Sequence, residues 1–260
     1  MKIALYQVDA FADKVFQGNP AAICPLEEWL DVDLMQAIAV ENNLSETAFF
    51  VAKGDAYELR WFTPVAEVDL CGHATLASAH VVFEHIDPNA GDVAFDTRSG
   101  RLSVTRGPDG LLAMDFPAQP GDKIEVSAEM IEALGAEPSF LYGGEDFMAV
   151  FERQSQISAI EPDHGALKKL ERRGVIVTAP GDEVDFVSRF FAPKYNIPED
   201  PVTGSAHCML TPYWAGRLAK LQLRARQISP RGGNLDCALE GDRVRISGSA
   251  SEYLKGEISL

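Results

Sequence analysis

The sequence has few cysteines and few basic residues, and both shortages limit what the protein can be. Its four cysteines form no CxxC pair and are too sparse for a disulfide scaffold in a chain of 260 residues, so reduced thiols are expected. The net charge is −16, from 39 acidic and 23 basic residues. This balance argues against a nucleic acid or an anionic membrane as partner, because either would need a broad basic surface.

Long apolar runs are also missing, and no stretch approaches the length of a membrane span. The first residues, MKIALYQVDAF, alternate apolar and polar side chains and predict a strand rather than a signal peptide. A cytoplasmic location is therefore expected. The composition, with 46% hydrophobic and 24% charged residues, is that of a soluble globular protein. An anionic small molecule stays open as a ligand, because a local group of backbone N–H donors can hold a carboxylate whatever the net charge.

The pattern along the chain predicts a mixed α+β protein. Alternation with β-branched and aromatic residues predicts strands at 2–11, 21–26, 47–52, 56–64, 92–97, 101–106, 111–117, 147–152, 174–180, 186–193, 221–227, 234–240 and 242–260. Helical spacing and capping residues predict helices within 27–43, from Gly72 to about 85, over 127–135, and from about Gly204. The Pro- and Gly-bearing stretch 116–129 indicates a link between two halves.

The two halves echo each other. VAKGD at 51–55 resembles TAPGD at 178–182, RWFTP at 60–64 resembles RFFAP at 189–193, and a glycine opens a helix at both Gly72 and Gly204. The offsets are 127, 129 and 132 residues, all close to half the chain length. The repeat predicts two pseudo-symmetric α+β domains. Equivalent helix starts would then face each other across an interdomain cleft, where small-molecule sites tend to lie.

Both helix starts have features of an anion site. A helix N-terminus carries unpaired N–H groups and a partial positive charge, and a preceding small residue allows close approach to the backbone. The stretches Cys71-Gly72-His73 and Thr203-Gly204-Ser205 both fit this description. Ordinary capping by Thr203 or Ser205 would explain either stretch alone, and the duplication favours a site.

Metal and thiol chemistry are both disfavoured by the spacing. Structural zinc sites bring ligands in close pairs such as CxxC or HxxxH, whereas Cys71 and His73 are spaced CxH and His207 and Cys208 are adjacent. No metal is predicted. Cys71 at a helix start would be reactive, but a two-thiol racemase needs a second cysteine in the equivalent place, where the chain has Thr203.

A carboxylate is the remaining candidate proton carrier. Glu46 stands between two hydroxyl residues at the edge of an apolar strand, where its pKa should be raised. Its counterpart at the 127 offset is Arg173, so the acid is not duplicated. Asp200 lies three residues before Thr203, where it could reach a substrate or cap the helix. A solvated strand end and a turn residue before proline are the alternatives for these two acids.

The chain resembles the PhzF-like family of the diaminopimelate epimerase-like superfamily, named for an isomerase of phenazine biosynthesis. The matching stretches span almost the whole chain and are FQGNPAAIC, NLSETAFF, RWFTPVAEVDLCGHAT, EDPVTGSAH and SPRGGNL. The resemblance implies two domains, each a β-barrel-like sheet around a central helix, over 1–118 and 119–244, with the last strands at 245–260 expected to return to the first domain. It also implies a homodimer and no cofactor.

The resemblance further implies roles for individual residues. Glu46 takes the place of the single catalytic glutamate, and the family's catalytic histidine, aspartate and serine fall on His73, Asp200 and Ser205. Substrate-binding groups fall on Ser45, Gly72, His73, Thr203, Gly204, Ser205, Gly232 and Gly233.

Together these observations predict an isomerase that needs no cofactor and moves a proton between carbons of a small carboxylate-bearing amino or hydroxy substrate. Two alternatives stay open: a thiol-assisted amino-acid epimerase that uses Cys71, and a non-catalytic metabolite-binding protein of the same fold. The physiological substrate is not indicated by the sequence.

Overall fold

The computed structural model describes residues 1–260, which divide into two compact units. Unit 1 comprises Met1–Asp115 and Ser247–Leu260, and unit 2 comprises Phe116–Ile246. The sequence places the corresponding boundaries at 118/119 and 244/245. Both units mix helices with a larger number of strands, so the protein is a strand-rich α+β protein. No helix has both the length and the apolar character needed to cross a membrane.

Unit 1 is built mainly from antiparallel strands, with two helices and a π-helical turn at Val82–Ile86. Its elements are β1 (Lys2–Ala10), β2 (Asn19–Leu26), α1 (Val32–Asn42), β3 (Glu46–Lys53), β4 (Ala56–Phe62), β5 (Glu67–Val68), α2 (Gly72–Val81), β6 (Asp92–Thr97), β7 (Gly100–Arg106), β8 (Leu112–Pro117), which continues into unit 2, and β17 (Ala250–Ser259). The C-terminal β17 pairs antiparallel with β1 over almost its whole length, which ties the end of the chain into the first unit.

Helix α2 lies inside unit 1. It contacts β1, β2, β3, β7 and β17, and all its residues from His73 to Ala79 are buried. A helix that is covered on all sides needs apolar or small side chains around its whole circumference, and GHATLASAHV provides them. The two buried hydroxyl residues are satisfied locally, because Thr75 donates to the Cys71 carbonyl and Ser78 to the Ala74 carbonyl.

Unit 2 contains the remaining elements and a 3₁₀ turn at Pro193–Tyr195. They are β9 (Asp122–Ile124), α3 (Ala128–Leu134), β10 (Phe140–Gly143), β11 (Phe147–Val150), α4 (Gln154–Ser158), α5 (His164–Leu167), β12 (Val175–Pro180), β13 (Phe186–Phe191), α6 (Gly204–Leu218), β14 (Gln222–Gln227), β15 (Gly233–Glu240) and β16 (Arg243–Gly248), whose end passes into unit 1. Strands β11 and β12 run parallel, as do β13 and β14.

Helix α6 packs against β14 and β15 and tolerates an internal proline. Pro212 has no N–H to donate to the carbonyl of Cys208, four residues earlier. The backbone N–H of Gln119 donates to that carbonyl instead, at 2.9 Å. The buried carbonyl is therefore satisfied without breaking the helix.

The sequence echoes coincide with a repeated local arrangement. In unit 1, β3 and β4 form an antiparallel hairpin turning at Gly54, whose φ is +63°. In unit 2, β12 and β13 form a hairpin turning near Gly181. The Arg-aromatic-Phe stretch lies in the second strand of each hairpin, and a helix that opens with glycine follows in both units.

The predicted capping of α3 is confirmed. Ser127 accepts from the Met130 N–H, and Gly135 ends the helix with a φ of +66°. The stretch 116–129, predicted to link the two halves, begins at the boundary between the units; its residues belong to unit 2, and within them β9 pairs with β10. Its prolines and glycine are compatible with this role because only three residues join the ladder. The short elements β5, β10, α4 and α5 have too few residues to show a period and were not predicted.

Candidate active site

Glu46 is the first residue of β3, and its side chain is buried. It pairs with Ala21 of the neighbouring parallel strand β2, and only 9% of the residue is exposed. The preceding residue is also fixed, because Ser45 Oγ donates to Asn19 Oδ1 at 3.1 Å and Asn19 is itself buried. The strand pairing and the Ser45 hydrogen bond together fix the backbone at Glu46, in an environment that excludes most water.

Two residues of the α2 start complete a buried cluster with Glu46. His73 Nε2 lies 3.0 Å from Glu46 Oε2, and His73 Nδ1 lies 3.5 Å from Cys71 Sγ. The imidazole therefore stands between the carboxylate and the thiol. All three residues are less than a tenth exposed.

The facing atoms of Glu46 and His73 have no hydrogen-bond partner. Although Glu46 Oε2 and His73 Nε2 are close, their orientation does not meet hydrogen-bonding geometry, and both atoms are buried. Buried polar atoms are nearly always hydrogen-bonded, so two such atoms side by side need an explanation. A ligand that bonds to both of them would provide one.

Charge and burial act differently on the two neighbours of Glu46. Burial raises the pKa of the Cys71 thiol, and the Glu46 carboxylate raises it further. Burial alone would lower the pKa of His73, but its interactions with Cys71 and Glu46 outweigh burial and raise that pKa well above 6.5. The reactive thiol considered from the sequence is therefore disfavoured: the helix start does not overcome the burial of Cys71.

The same cluster could be considered as a metal site, since one donor atom from each of Glu46, Cys71 and His73 lies within 4.8 Å of the others. The arrangement of the imidazole does not fit a single ion. Nδ1 faces the thiol and Nε2 faces the carboxylate, so an ion bound to either nitrogen would be turned away from one of the other two donors. We therefore assign no step to a metal.

Neither glycine-led helix start is capped by a side chain. Cys71 precedes α2 and Thr203 precedes α6, and neither makes a side-chain capping hydrogen bond; the Cys71 sulfur has only a weak contact with the Ala74 N–H. The Thr203 hydroxyl instead donates to Asp200 Oδ2. Ordinary capping by Thr203 is thus excluded as the reason for these residues, and the first amides of both helices keep their capacity to bind an acceptor.

A buried glutamine holds the segment that leads into α6. Gln227 Oε1 accepts from the Thr203 N–H at 2.8 Å, and Gln227 Nε2 donates to the Asp200 carbonyl at 2.7 Å. Strand β14 brings Gln227 here by pairing with β13. The position of Asp200 is therefore set by a residue that is distant in sequence.

The two predicted glycines lie beside this segment. Ser229 Oγ donates to the Pro201 carbonyl at 2.7 Å and accepts from the Gly232 N–H at 3.1 Å. Gly232 has a φ of +67°, a conformation that favours glycine, and Gly233 begins β15 opposite Gln227. Through Ser229, the RGGN turn supports the backbone at residue 201.

Ser205, the second residue of α6, contacts a partly buried ion pair. Arg173 Nη2 donates to Ser205 Oγ at 3.0 Å. The same guanidinium makes a bidentate pair with Asp146, at 3.0 Å from Nε to Oδ1 and 2.6 Å from Nη2 to Oδ2. Asp146 is only 3% exposed.

The predicted residues thus form two groups, one in each unit. Unit 1 contains Ser45, Glu46, Gly72 and His73, and unit 2 contains Asp200, Thr203, Gly204, Ser205, Gly232 and Gly233. Sequence reasoning missed the supporting residues Asn19, Asp146 and Gln227 and gave no role to Arg173. The 127-residue offset was the one signal for Arg173, and nothing local distinguished the other three.

Comparison with known proteins shows first the fold of this chain and then its family. A hydroxyproline epimerase from Agrobacterium vitis, solved with trans-4-hydroxy-L-proline, superimposes with a TM-score of 0.65 over 100% of this chain and 93% of its own, at 10% identity. At that identity the likeness concerns the fold alone. The protein therefore shares its fold with this epimerase and with a probable proline racemase from Agrobacterium radiobacter.

The family is shown by the whole chain. Residues 8–256 match the PhzC-PhzF phenazine biosynthesis-like proteins. An uncharacterised isomerase of Pseudomonas aeruginosa is 51% identical over 260 residues, 100% of both chains. The crystal structure of a PhzF-family phenazine biosynthesis protein from Enterococcus faecalis gives a TM-score of 0.98 at 49% identity, again over 100% of both chains. The chain belongs to the PhzC/PhzF phenazine biosynthesis-like family, and it is an isomerase.

Proposed function

We propose that this isomerase moves a proton between two carbons of a small carboxylate-bearing amino or hydroxy substrate, with Glu46 as the only acid/base. The observation that supports the proposal most is the pair of buried, unpartnered atoms Glu46 Oε2 and His73 Nε2. A substrate C–H that approaches Oε2 would meet a buried carboxylate whose neighbouring donor, His73 Nε2 at 3.0 Å, is not aligned for a hydrogen bond. His73, whose pKa is raised, would keep a proton close by.

In the proposed reaction Glu46 takes a proton from one carbon and returns it to another on the same face. The electron pair left by the first step is delocalised through a carbon–carbon double bond of the substrate to the second carbon, where the proton is added and the double bond shifts by one position, and the carboxylate oxygens gain negative charge in between. The uncapped amides at the starts of α2 and α6 are donors of the kind that stabilises such charge. A positioned acid/base supplies roughly 10²–10⁴-fold of rate, so amide donors and positioning would provide any larger acceleration.

Asp200, His73 and Ser205 are proposed to orient the substrate's amino or hydroxyl group and its carboxylate. Asp200 is held by Thr203 and Gln227, and Ser205 by Arg173, so each has a fixed geometry. The prediction that both helix starts act on one substrate is tested by whether Glu46→Gln and Ser205→Ala both change the turnover of that substrate. The dimer, the cytoplasmic location, the barrel-like form of each domain and the independence from cofactors stay predictions.

The test is a screen of small amino and hydroxy acids, including trans-4-hydroxy-L-proline, read by NMR as solvent-deuterium incorporation. Wild-type protein is expected to exchange hydrogen at carbon in at least one compound. Glu46→Gln should lower that exchange by roughly 10²–10⁴-fold, while the ligand-induced thermal shift is kept. Glu41→Gln, which alters an exposed glutamate on α1, serves as the matched control.

Two outcomes would contradict the proposal. Unchanged exchange by Glu46→Gln would remove Glu46 as proton carrier. If some compounds raise the melting temperature of the wild-type protein but it exchanges hydrogen at carbon in none of them, a metabolite-binding protein would be favoured.

A further inference from the structure

Ser205 is bonded in a way that fixes the direction of its hydroxyl proton. A guanidinium has donors and no acceptor, so the contact at 3.0 Å must run from Arg173 Nη2 to Ser205 Oγ. Ser205 accepts in this contact, and its own O–H is left to donate elsewhere. Ser205 is only partly buried, which leaves room for a ligand to approach the residue.

The guanidinium itself is held on several sides. Asp146 binds it through both carboxylate oxygens, Glu145 Oε1 lies 3.3 Å from Nη1, and the ring of Phe190 lies 5.5 Å from Cζ. Bidentate geometry fixes the plane of the guanidinium as well as its position. The direction in which Nη2 points at Ser205 is therefore set by the protein before any ligand arrives.

Strand pairing explains why these residues meet. Phe147 of β11 and Val175 of β12 are partners in a parallel pair, and Asp146 and Arg173 lie just before these two residues. The Phe147 N–H donates to the Gly174 carbonyl at 3.0 Å, which holds the two strand beginnings together. The ion pair is thus a fixed feature of the sheet, and it supports the first turn of α6 through Ser205.

The corresponding place in unit 1 carries the proposed chemistry. Arg173 stands 127 residues after Glu46, and Ser205 stands 132 residues after His73. In both units a charged residue at the first of these positions contacts a polar residue at the second, at 3.0 Å. The two units therefore share a contact at equivalent positions but differ in its chemistry, with a carboxylate and an imidazole in unit 1 and a guanidinium and a hydroxyl in unit 2.

We propose that Asp146 and Arg173 are positioning residues that make Ser205 a dedicated hydrogen-bond donor to a carboxylate oxygen of the substrate. This inference rests on the proposed function, and it names the substrate group that Ser205 recognises. An ammonium group is disfavoured at Ser205, because it is itself a donor and the hydroxyl already accepts from Arg173. A carboxylate oxygen is an acceptor and can take the free O–H in a charge-assisted hydrogen bond.

The test compares lactate with lactamide, its neutral analogue, as probes of the full-length protein. Binding is read from the chemical shift of the backbone amide at position 205 in ¹⁵N-labelled protein, so that no turnover is needed and the same probe serves in every variant. Wild-type protein is expected to bind lactate more tightly than lactamide. Ser205→Ala should weaken lactate binding about tenfold, the value of one hydrogen bond to a charged group, and change lactamide binding by less than about twofold.

The positioning role predicts that substitutions of the ion pair and of Ser205 are energetically coupled, whereas a merely structural role does not. Asp146→Asn/Arg173→Met removes both charges together and so avoids leaving a buried, unpaired carboxylate. This double variant should reproduce most of the loss of lactate affinity caused by Ser205→Ala. Combining it with Ser205→Ala should weaken lactate binding by less than about a further twofold, because the effects of residues that act through one group are not additive. Arg173→Lys keeps a donor and should restore part of the affinity. Arg172→Lys, at the neighbouring arginine that donates to the Gly144 carbonyl, is the matched control.

Three results would overturn the inference: no lactate-dependent shift of the Ser205 amide in wild-type protein, equal losses for lactate and lactamide, or additive losses in the combined variant. Lactate binding with the expected pattern, in a protein that exchanges no substrate hydrogen, would leave the inference standing and remove the proposed function. The two can therefore fail separately.

Discussion

The starts of α2 and α6 share a local arrangement but carry different chemistry. Each follows a strand with an Arg-aromatic-Phe stretch, opens with a glycine and lacks a side-chain cap. At the α2 start a carboxylate meets an imidazole, and neither facing atom has a hydrogen-bond partner. At the α6 start a cation meets a hydroxyl, and the cation is bound by Asp146. Under the proposed function, the same scaffold would carry proton transfer in unit 1 and substrate recognition in unit 2 through a few different side chains.

The arginine of each hairpin shows that the scaffold itself is shared. Arg60 makes a bidentate pair with Glu67, and Arg189 makes one with Glu199. Glu67 and Glu199 both stand five residues before the glycine that opens the following helix. In each unit the pair connects the hairpin to the segment leading into that helix, so it contributes to the placement of the helix start.

The largest expected effect is on stability, and it should differ between these two ion pairs. Arg189 also donates to the carbonyls of Ile157 and Ile160, and Glu199 has no second cation, whereas Glu67 is also bound by Arg98. Arg189→Met should therefore lower the free energy of unfolding by about 3–5 kcal/mol. Arg60→Met should cost about 1–3 kcal/mol.

Urea unfolding at pH 7 measures both losses. Arg101→Met, which removes an exposed pair with Asp96, is the control and should cost less than about 1 kcal/mol. Equal losses for Arg60→Met and Arg189→Met would show that the two carbonyl bonds and Arg98 make no difference.

The next effect is the dependence of stability on pH, to which one histidine of each unit should contribute with opposite sign. Burial lowers the pKa of His207 to about 4 from 6.5, so below pH 6.5 the unfolded chain takes up a proton that the native protein refuses. Stability should fall by about 3 kcal/mol from this group as the pH drops from 6.5 to 4. The pKa of His73 is raised, so its contribution is complete below pH 6.5 and is lost as the pH rises through the folded value.

Urea unfolding from pH 4 to 9 checks both signs. His207→Gln should flatten the acid side of the stability curve, and His73→Gln should flatten the alkaline side. The assignment is contradicted if His207→Gln leaves the acid side unchanged.

The smallest effect is expected at Cys71, which corresponds to Thr203 in the repeat. Because burial raises the pKa of its thiol, Cys71 should react slowly with iodoacetamide and should not act as a nucleophile or base. Cys71→Ala should slow hydrogen exchange by less than about tenfold, since it removes one weak contact to His73. A loss as large as that of Glu46→Gln would instead support the thiol-assisted epimerase.

Many elements of the fold and several site residues could be predicted from the sequence because local patterns indicate them. Alternation gave most strands, Ser127 and Gly135 marked the ends of α3, and the repeated motifs pointed to Gly72 and Gly204. Glu46 could be selected because it is charged, stands before an apolar strand and has no duplicate. Family resemblance then added roles for His73, Asp200 and Ser205.

What the sequence did not reveal depends on contacts between distant residues. Gln227 ends a strand 24 residues after Thr203, and only the pairing of β13 with β14 shows that its amide holds the α6 start. Asp146 reaches Arg173 because β11 and β12 are parallel neighbours, which no local pattern indicates. Strand β9, inside the predicted link at 116–129, was missed for the same reason, since it exists only through its partner β10.

The most direct test of Glu46 as the single proton carrier follows one labelled hydrogen. A substrate found in the screen would be deuterated at the donor carbon and converted in ordinary water, with the product read by mass spectrometry at early times. Because Glu46 is only 9% exposed, we expect its proton to exchange with water more slowly than it is returned to the substrate, so wild-type protein should deliver deuterium to the acceptor carbon above the solvent level. Glu46→Gln should bind the substrate and deliver none, whereas transfer of the label by Glu46→Gln at the wild-type rate would contradict the account.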